Sequence, residues 1–167
     1  MKTKIPFLFI LGLLLINMLS NSCKKDKQNS VQTLFANGKW QLASVNVTSF
    51  VGDTIKRIDT LNTKCDTTQL FTFNTDNTCT YTNFDCLHQP TASGHWLLAP
   101  DQLSISSDMV CKDTTAAGSS KPFASAKIEN VGDYSLVLLT GDIPNHTSTT
   151  KRRVVRYGFV RQKASVQ

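Results

Sequence analysis

The stretch from Cys65 to Cys86 constrains the fold most strongly, because it is typical of two β-strands joined by a tight turn. Leu70–Asn74 and Thr78–Phe84 are rich in Phe, Tyr and Thr, which favour a pleated, half-buried surface. Thr75-Asp76-Asn77 suits the hairpin turn between them, since Asp and Asn tolerate left-handed backbone angles. A turn centred on its first two residues pairs residues whose numbers sum to about 151. This register predicts that Cys65 faces Cys86.

The N-terminus predicts export from the cytoplasm. Lys2 and Lys4 precede the apolar run Ile5–Ile16, which is short for a membrane span of about 20 residues. Small and polar residues then lead to Cys23. This arrangement resembles the signal of bacterial lipoproteins, in which Cys23 would be diacylated and become the first mature residue, although Ser20 stands where that signal usually has leucine. An ordinary secretory signal followed by a chance cysteine is the alternative.

These features predict a signal peptide over residues 1–22, a polar tether over 23–30, one domain over 31–163 and a frayed tail over 164–167. Two acyl chains suffice for stable anchoring. We therefore expect a domain tethered to the outer membrane of the cell envelope, on a face that the sequence leaves open. Removal of the predicted signal peptide takes away Lys2 and Lys4 and lowers the formal net charge from +6 to about +4, a mild excess that does not indicate nucleic-acid binding. An acidic partner for the basic C-terminal strand stays an alternative.

Four cysteines follow the acylation site: Cys65, Cys79, Cys86 and Cys111. An even number in an exported domain indicates two disulfides, for which three connectivities exist. The hairpin register favours Cys65 with Cys86, which leaves Cys79 with Cys111. Zinc is the competing interpretation. No C-x-x-C pair occurs and the three histidines lack ligand spacing, so no metal site is expected.

Turn signals divide the domain into eight or nine short strands and leave a long loop, Asp108–Pro122. The expected strands are Lys39–Thr48, Thr54–Leu61, Leu70–Asn74, Thr78–Phe84, Gly94–Leu98, Leu103–Ser106, Phe123–Val131, Tyr134–Thr140 and Lys151–Arg161. Val31–Ala36 fits a single helical turn. The pattern predicts an all-β, up-and-down antiparallel meander. Closure into a barrel of about eight strands is favoured because it removes exposed edges, and a β-sandwich is the alternative.

Short motifs are similar to those of the lipocalin-like lipoproteins of Gram-negative bacteria. They are Gly38-Lys39-Trp40 at the first strand, the cysteine-flanked hairpin turn, and Gly94-His95-Trp96 at a later strand. The resemblance covers about residues 20–161 and implies a lipocalin-like barrel. In such a barrel Trp40 would close one end, and Arg161 from the last strand would pack over it.

Side chains suited to catalysis are few in this sequence. No serine lies in a G-x-S-x-G elbow, and the cysteines are assigned to disulfides. His88 and His95 fit a loop and a strand start, and several aspartates fit turns, where they bond the local backbone. We therefore expect no enzyme activity, no catalytic residue and no cofactor.

Ligand binding is favoured over catalysis, because the interior of an eight-stranded barrel is either filled by side chains or holds one small ligand. Large side chains that share strand faces are the candidates for a ligand cavity: Phe71, Phe73, Trp96, Leu136, Leu138, Tyr157 and Phe159. If they line an open cup, the domain binds a small apolar molecule or lipid. If they fill the interior, the chain is a structural or protein-interaction lipoprotein. The ligand and the oligomeric state stay open.

Overall fold

A computed structural model describes residues 30–36, 38–61, 65–144 and 146–162. The predicted signal peptide, nearly all of the tether, Cys23 and the C-terminal tail lie outside these residues. The elements in the described part are α1 (Val31–Ala36), β1 (Lys39–Val51), β2 (Thr54–Leu61), β3 (Leu70–Phe73), β4 (Thr78–Thr82), β5 (Ala92–Leu98), β6 (Ser104–Ser107), β7 (Cys111–Lys112), β8 (Ser119–Ser120), β9 (Ala126–Val131), β10 (Ser135–Gly141) and β11 (Lys151–Arg161). A 3-10 turn, Phe84–Cys86, follows β4.

Eight of these strands form a closed antiparallel barrel. Their order around the wall is β1-β3-β4-β5-β6-β9-β10-β11, and β11 returns to pair with β1. The closing pair runs from Trp40 opposite Arg161 to Val51 opposite Lys151. Closure satisfies the backbone hydrogen bonds that an open sheet would leave at its edges. The prediction of an all-β, up-and-down barrel of about eight strands is confirmed.

β2 lies outside the closed wall. β1 gives one edge to β11 and divides the other edge, with Lys39–Gln41 paired to β3 and Val45–Val51 paired to β2. Every residue of β2 is exposed except Asp59, which is half-buried. In the described part of the chain, the outer edge of β2 pairs with no strand. The barrel therefore carries one open strand edge.

The β3–β4 hairpin forms as predicted, but its register is shifted by one residue. Phe73 faces Cys79, so the numbers of opposed residues sum to 152. The loop contains three residues, and the third, Asn77, adopts a left-handed φ of 65°. The Asp76 carboxylate stabilises this loop by accepting a hydrogen bond from the Thr78 N–H at 2.9 Å. The turn is thus centred on Asp76, and the predicted sum of about 151 is wrong by one.

The predicted disulfide between Cys65 and Cys86 is confirmed, with the two Cα atoms 5.4 Å apart. The bond lies beyond the paired ladder of the hairpin, which ends where Leu70 faces Thr82. After that pair the chain turns sharply: Asn83, Asp85 and Cys86 have left-handed φ angles of 57°, 56° and 59°. The irregular backbone on the β4 side, rather than the hairpin register, brings the two sulfur atoms together.

The second predicted disulfide is not formed, since Cys79 and Cys111 are both free and buried. Each thiol packs as a small core side chain, and the Cys79 sulfur lies 3.3 Å from the Ser107 hydroxyl. Burial raises the pKa of Cys79. Burial, together with the neighbouring Cys79 and Asp113, raises the pKa of Cys111 to about 12. Pairing by elimination fails here because it assumes that every remaining cysteine is oxidised.

We expect both buried thiols to resist a thiol-specific reagent such as Ellman's reagent at pH 8 and to react fully in denaturant. Their raised pKa values favour the protonated form in the folded state. The preference for protonated Cys111 therefore contributes its full stabilisation below the unfolded thiol pKa of 9.0. That contribution to the free energy of unfolding is lost as the pH rises toward about 12. The measurement uses unreduced protein that lacks Cys23, unfolded in denaturant. Two reactive thiols per chain would show that Cys79 and Cys111 are free. Counting none would contradict it.

The Asp108–Pro122 segment is held more firmly than expected. The sequence predicts only a long loop here, but Met109, Cys111 and Asp113 are buried and β7 pairs with β8 inside the segment. Phe123 follows directly and is 1% exposed. The Phe123 ring belongs to the hydrophobic core of the barrel. The segment is therefore a packed part of the domain.

Candidate functional site

Trp40, at the start of β1, closes one end of the barrel. Its indole is fully buried, and the ring N–H donates to the carbonyl oxygen of Phe35 at 2.9 Å. Arg161 is its cross-strand neighbour on β11, and the guanidinium carbon lies 4.4 Å from the centroid of the indole. A guanidinium Nη2 also donates to the carbonyl oxygen of Leu34 at 2.9 Å. The structure thus brings Trp40 and Arg161 together and ties α1 to both.

Phe35 completes this closed end, and the sequence analysis did not single it out. Its ring is fully buried, with its centroid 4.9 Å from that of Phe73 and 5.6 Å from that of Trp96. Val31 and Phe35 lie four residues apart in α1, which places them on one helix face. This i, i+4 apolar pair directly before the Gly38-Lys39-Trp40 motif is the signal that predicts a capping helix.

The side chains expected to line a cavity come together inside the barrel, where they pack against one another. All seven belong to the core or pack against it: Phe71, Phe73, Trp96, Leu136, Leu138, Tyr157 and Phe159. The ring centroids of Phe71 and Phe73 are 4.0 Å apart, and Phe123 lies 4.8 Å from Phe71. Phe123 enters from the loop before β9 and adds its buried ring to this cluster. The barrel centre is therefore filled rather than cup-shaped.

A small apolar cleft lies where β2 ends and β3 begins. This mouth cleft has a volume of about 60 Å³ and is lined by Leu42, Val45, Leu61, Gln69, Phe84, Asp85, Cys86 and Tyr157. Pockets that enclose drug-sized ligands have volumes of about 300–1,000 Å³. The mouth cleft therefore fits the end of an apolar chain and not an enclosed molecule. Tyr157 is the member of the expected cavity set that forms part of its wall.

Gln69 connects the mouth cleft to the disulfide. Its side chain is buried, with Nε2 lying 3.4 Å from the sulfur of Cys65 and 3.7 Å from that of Cys86. Its Oε1 accepts a hydrogen bond from the Tyr81 hydroxyl at 3.3 Å. Burial raises the pKa of Tyr81 well above its usual value and the pKa of Tyr157 to about 12. Both phenols are therefore uncharged at neutral pH, and of the two only Tyr157 lines the mouth cleft.

His95 and Asp108 form a pair on the surface, and a histidine beside a carboxylate is a candidate for acid–base chemistry. The imidazole Nδ1 lies 3.3 Å from one carboxylate oxygen, and the other accepts from the His95 backbone N–H at 2.6 Å. These hydrogen bonds lower the pKa of Asp108. The side chains are 72% and 60% exposed and line an open depression of about 290 Å³. No hydroxyl or thiol in the described residues hydrogen-bonds the imidazole.

A second histidine, His146, joins the loops at the opposite end of the barrel from Trp40. Its Nε2 lies 2.7 Å from the Asp53 carboxylate, and this hydrogen bond lowers the pKa of Asp53. Arg152 donates to the carbonyl oxygen of Gly52 at 2.8 Å and lies over the Phe50 ring at 4.7 Å. These contacts fix the β1–β2 turn against the loop before β11. Their role is structural, since they hold the two loops together.

The described residues contain neither a cluster of metal ligands nor a membrane-spanning helix. No group of three or more His, Cys, Asp or Glu side chains there is arranged to hold a metal ion. Within the same residues, no helix has the length and apolar character that crossing a membrane requires.

Comparison with known proteins adds no relative from which a function could be transferred. No protein-family model matches the chain, and neither the curated proteins nor the solved structures include a significant match. The structure itself supports a classification at the level of fold. The chain forms an eight-stranded antiparallel barrel consistent with a lipocalin-like fold.

Proposed function

We propose that this chain is an envelope lipoprotein without enzyme activity, whose barrel holds the apolar end of a small molecule or lipid in the mouth cleft. The observation that carries the proposal is this cleft, where apolar walls open to solvent beside the buried amide of Gln69. Leu42 and Val45 supply the wall from β1, and Leu61 stands at the rim. The lipoprotein-like signal and tether support an anchor on Cys23 at the outer membrane.

Native mass spectrometry of the protein purified from its own membrane tests both parts of the proposal. We expect the mass of a chain that begins at an acylated Cys23, together with a co-purifying small molecule. Without acylation, Cys23→Ser should release the protein from the membrane fraction. An unacylated parent chain would refute the anchor, and an acylated chain without any co-purifying molecule would count against the ligand.

Leu61→Trp is expected to weaken binding of a fluorescent long-chain fatty acid at least about tenfold, because the larger ring fills the rim of a cleft of about 60 Å³. Leu61 is 46% exposed, so the change in stability should stay within about 0.5 kcal/mol. Leu97→Trp is the matched control, since Leu97 is also exposed and does not line the mouth cleft. Equal affinities for the parent and both variants would place the probe elsewhere.

The second candidate is a structural or protein-interaction lipoprotein of the outer membrane that binds no ligand. The packed barrel centre, with Phe123 against Phe71, favours it. Crosslinking in intact cells separates the two functions. An interaction protein should yield one dominant protein partner and no co-purifying small molecule, whereas a ligand carrier should show the reverse.

A further inference from the structure

β2 presents an open strand edge with an apolar surface. Three of its side chains rank among the exposed large hydrophobic residues: Ile55 is 54% exposed, Ile58 59% and Leu61 46%. In the described residues β2 pairs with β1 alone. An edge strand offers unpaired N–H and C=O groups, and proteins normally protect such an edge or pair it with another chain. A bulge at Lys56 interrupts β2, since Ser49 pairs with Arg57 and Phe50 with Ile55, so the regular part of its edge runs from Arg57 to Leu61.

Ile58 lies between two opposite charges on β2, and Lys56 is a third charge outside this pair. Arg57 and Asp59 flank Ile58, and their side chains form an ion pair at 2.7 Å while remaining 74% and 37% exposed. Asp59 is paired with Val47, which is buried inside the barrel, so Asp59 and Arg57 share the inner face of β2. Ile58 points to the opposite face, with Thr48 as its cross-strand neighbour.

We propose that β2 pairs antiparallel with β2 of a second copy of this chain, around a two-fold axis through Ile58. In this register Arg57 faces Asp59 of the partner subunit, and the same pair repeats on the other side of the axis. The two Ile58 side chains pack against each other. Arg57, Ile58 and Asp59 of each copy are then opposed by residues on the same face, as an antiparallel ladder requires.

The charges select this register over its neighbours. An axis through Arg57 would oppose two guanidinium groups, and an axis through Asp59 would oppose two carboxylates, which destabilises a cross-strand pair. The axis through Ile58 opposes unlike charges twice. The interface is therefore self-complementary and closes as a two-fold dimer. Leu61 at the end of β2 also lines the mouth cleft, but the central contacts of this interface, Arg57, Ile58 and Asp59, do not, so dimerisation does not depend on ligand binding.

Sedimentation velocity of the full-length chain in detergent should detect a dimer. Arg57→Asp alone and Asp59→Arg alone should each weaken dimerisation at least about tenfold, since each variant opposes like charges at both sites. An equimolar mixture of the two variants should associate again, because carboxylates once more face guanidinium groups. Glu129→Arg is the control: it breaks the exposed ion pair with Arg156 on the barrel wall and should leave the dimer unchanged.

A cysteine crosslink locates the axis in intact cells. Ile58→Cys should form an intermolecular disulfide with its counterpart when a copper–phenanthroline oxidant is added, and Leu97→Cys should not. Circular dichroism checks that all variants are folded. The proposal is overturned by a chain that is monomeric at all concentrations, by a dimer that persists in both single-charge variants, or by an Ile58→Cys crosslink to a different protein or to another segment of the same chain.

Discussion

Trp40→Ala is expected to lower the free energy of unfolding by about 3 to 5 kcal/mol, the range for removing a buried aromatic side chain. The indole is 0% exposed, so its loss leaves a cavity at the closed end of the barrel. The variant also leaves the Phe35 carbonyl without its 2.9 Å hydrogen bond and removes the ring beneath the Arg161 guanidinium. These losses act on the same few contacts that tie α1 to the barrel.

Urea denaturation followed by far-ultraviolet circular dichroism measures this loss. Tyr134→Ala is the matched control, because the Tyr134 side chain is 82% exposed. Its carbonyl oxygen accepts a hydrogen bond from the Arg161 backbone N–H, and the substitution leaves this backbone contact in place. Its substitution should change stability by no more than about 0.5 kcal/mol. If Trp40→Ala costs as little as the control, Trp40 does not close the barrel.

Removing the Cys65–Cys86 disulfide should produce the second large effect. We expect Cys65→Ala combined with Cys86→Ala to lower the free energy of unfolding by about 3 kcal/mol, since the bond closes a loop whose ends are separated by 21 residues. The bond restricts the unfolded chain, and its loss also frees the irregular segment after β4. Thermal unfolding monitored by circular dichroism provides the comparison.

The same experiment in reductant distinguishes one disulfide from two. The parent should lose about the same stability in dithiothreitol as it loses by the double substitution. The double variant itself should be insensitive to dithiothreitol, because Cys79 and Cys111 are free. Further destabilisation of the double variant by reductant would show that these two cysteines are paired after all.

The strand pattern was predictable because its signals are local. The sequence bounds of the second and last strands, Thr54–Leu61 and Lys151–Arg161, match β2 and β11. Alternation along each strand and turn residues between strands are properties of a few neighbouring residues. The closed wall then follows from the number of strands and from the cost of open edges.

The hairpin register and the cysteine pairing depend on details that composition does not specify. A three-residue loop with Asn77 in a left-handed conformation shifts every pair of the β3–β4 hairpin by one residue. The Cys65–Cys86 bond was predicted correctly although the register was wrong, because the irregular backbone around Cys86 brings the two cysteines together. The length of this turn depends on whether Asn77 adopts a positive φ angle, and the sequence alone does not determine that angle.

The filling of the interior could not be predicted, because it depends on residues brought together from distant parts of the chain. Phe123 comes from a loop rich in small residues, yet its ring packs against Phe71 at 4.8 Å. Phe35 comes from a helix of six residues and caps Trp96. Sequence periodicity identified which side chains face inward, but the space left between them is a tertiary property.

The central claim is that β1 and β11 pair to close the barrel with Trp40 inside. Nuclear Overhauser effects between the two strands test it most directly. The account predicts cross-strand contacts that link Val45 with Tyr157 and Trp40 with Arg161, and a Trp40 indole N–H that is protected from solvent exchange. An absence of contacts between β1 and β11, together with rapid exchange of that indole proton, would contradict it.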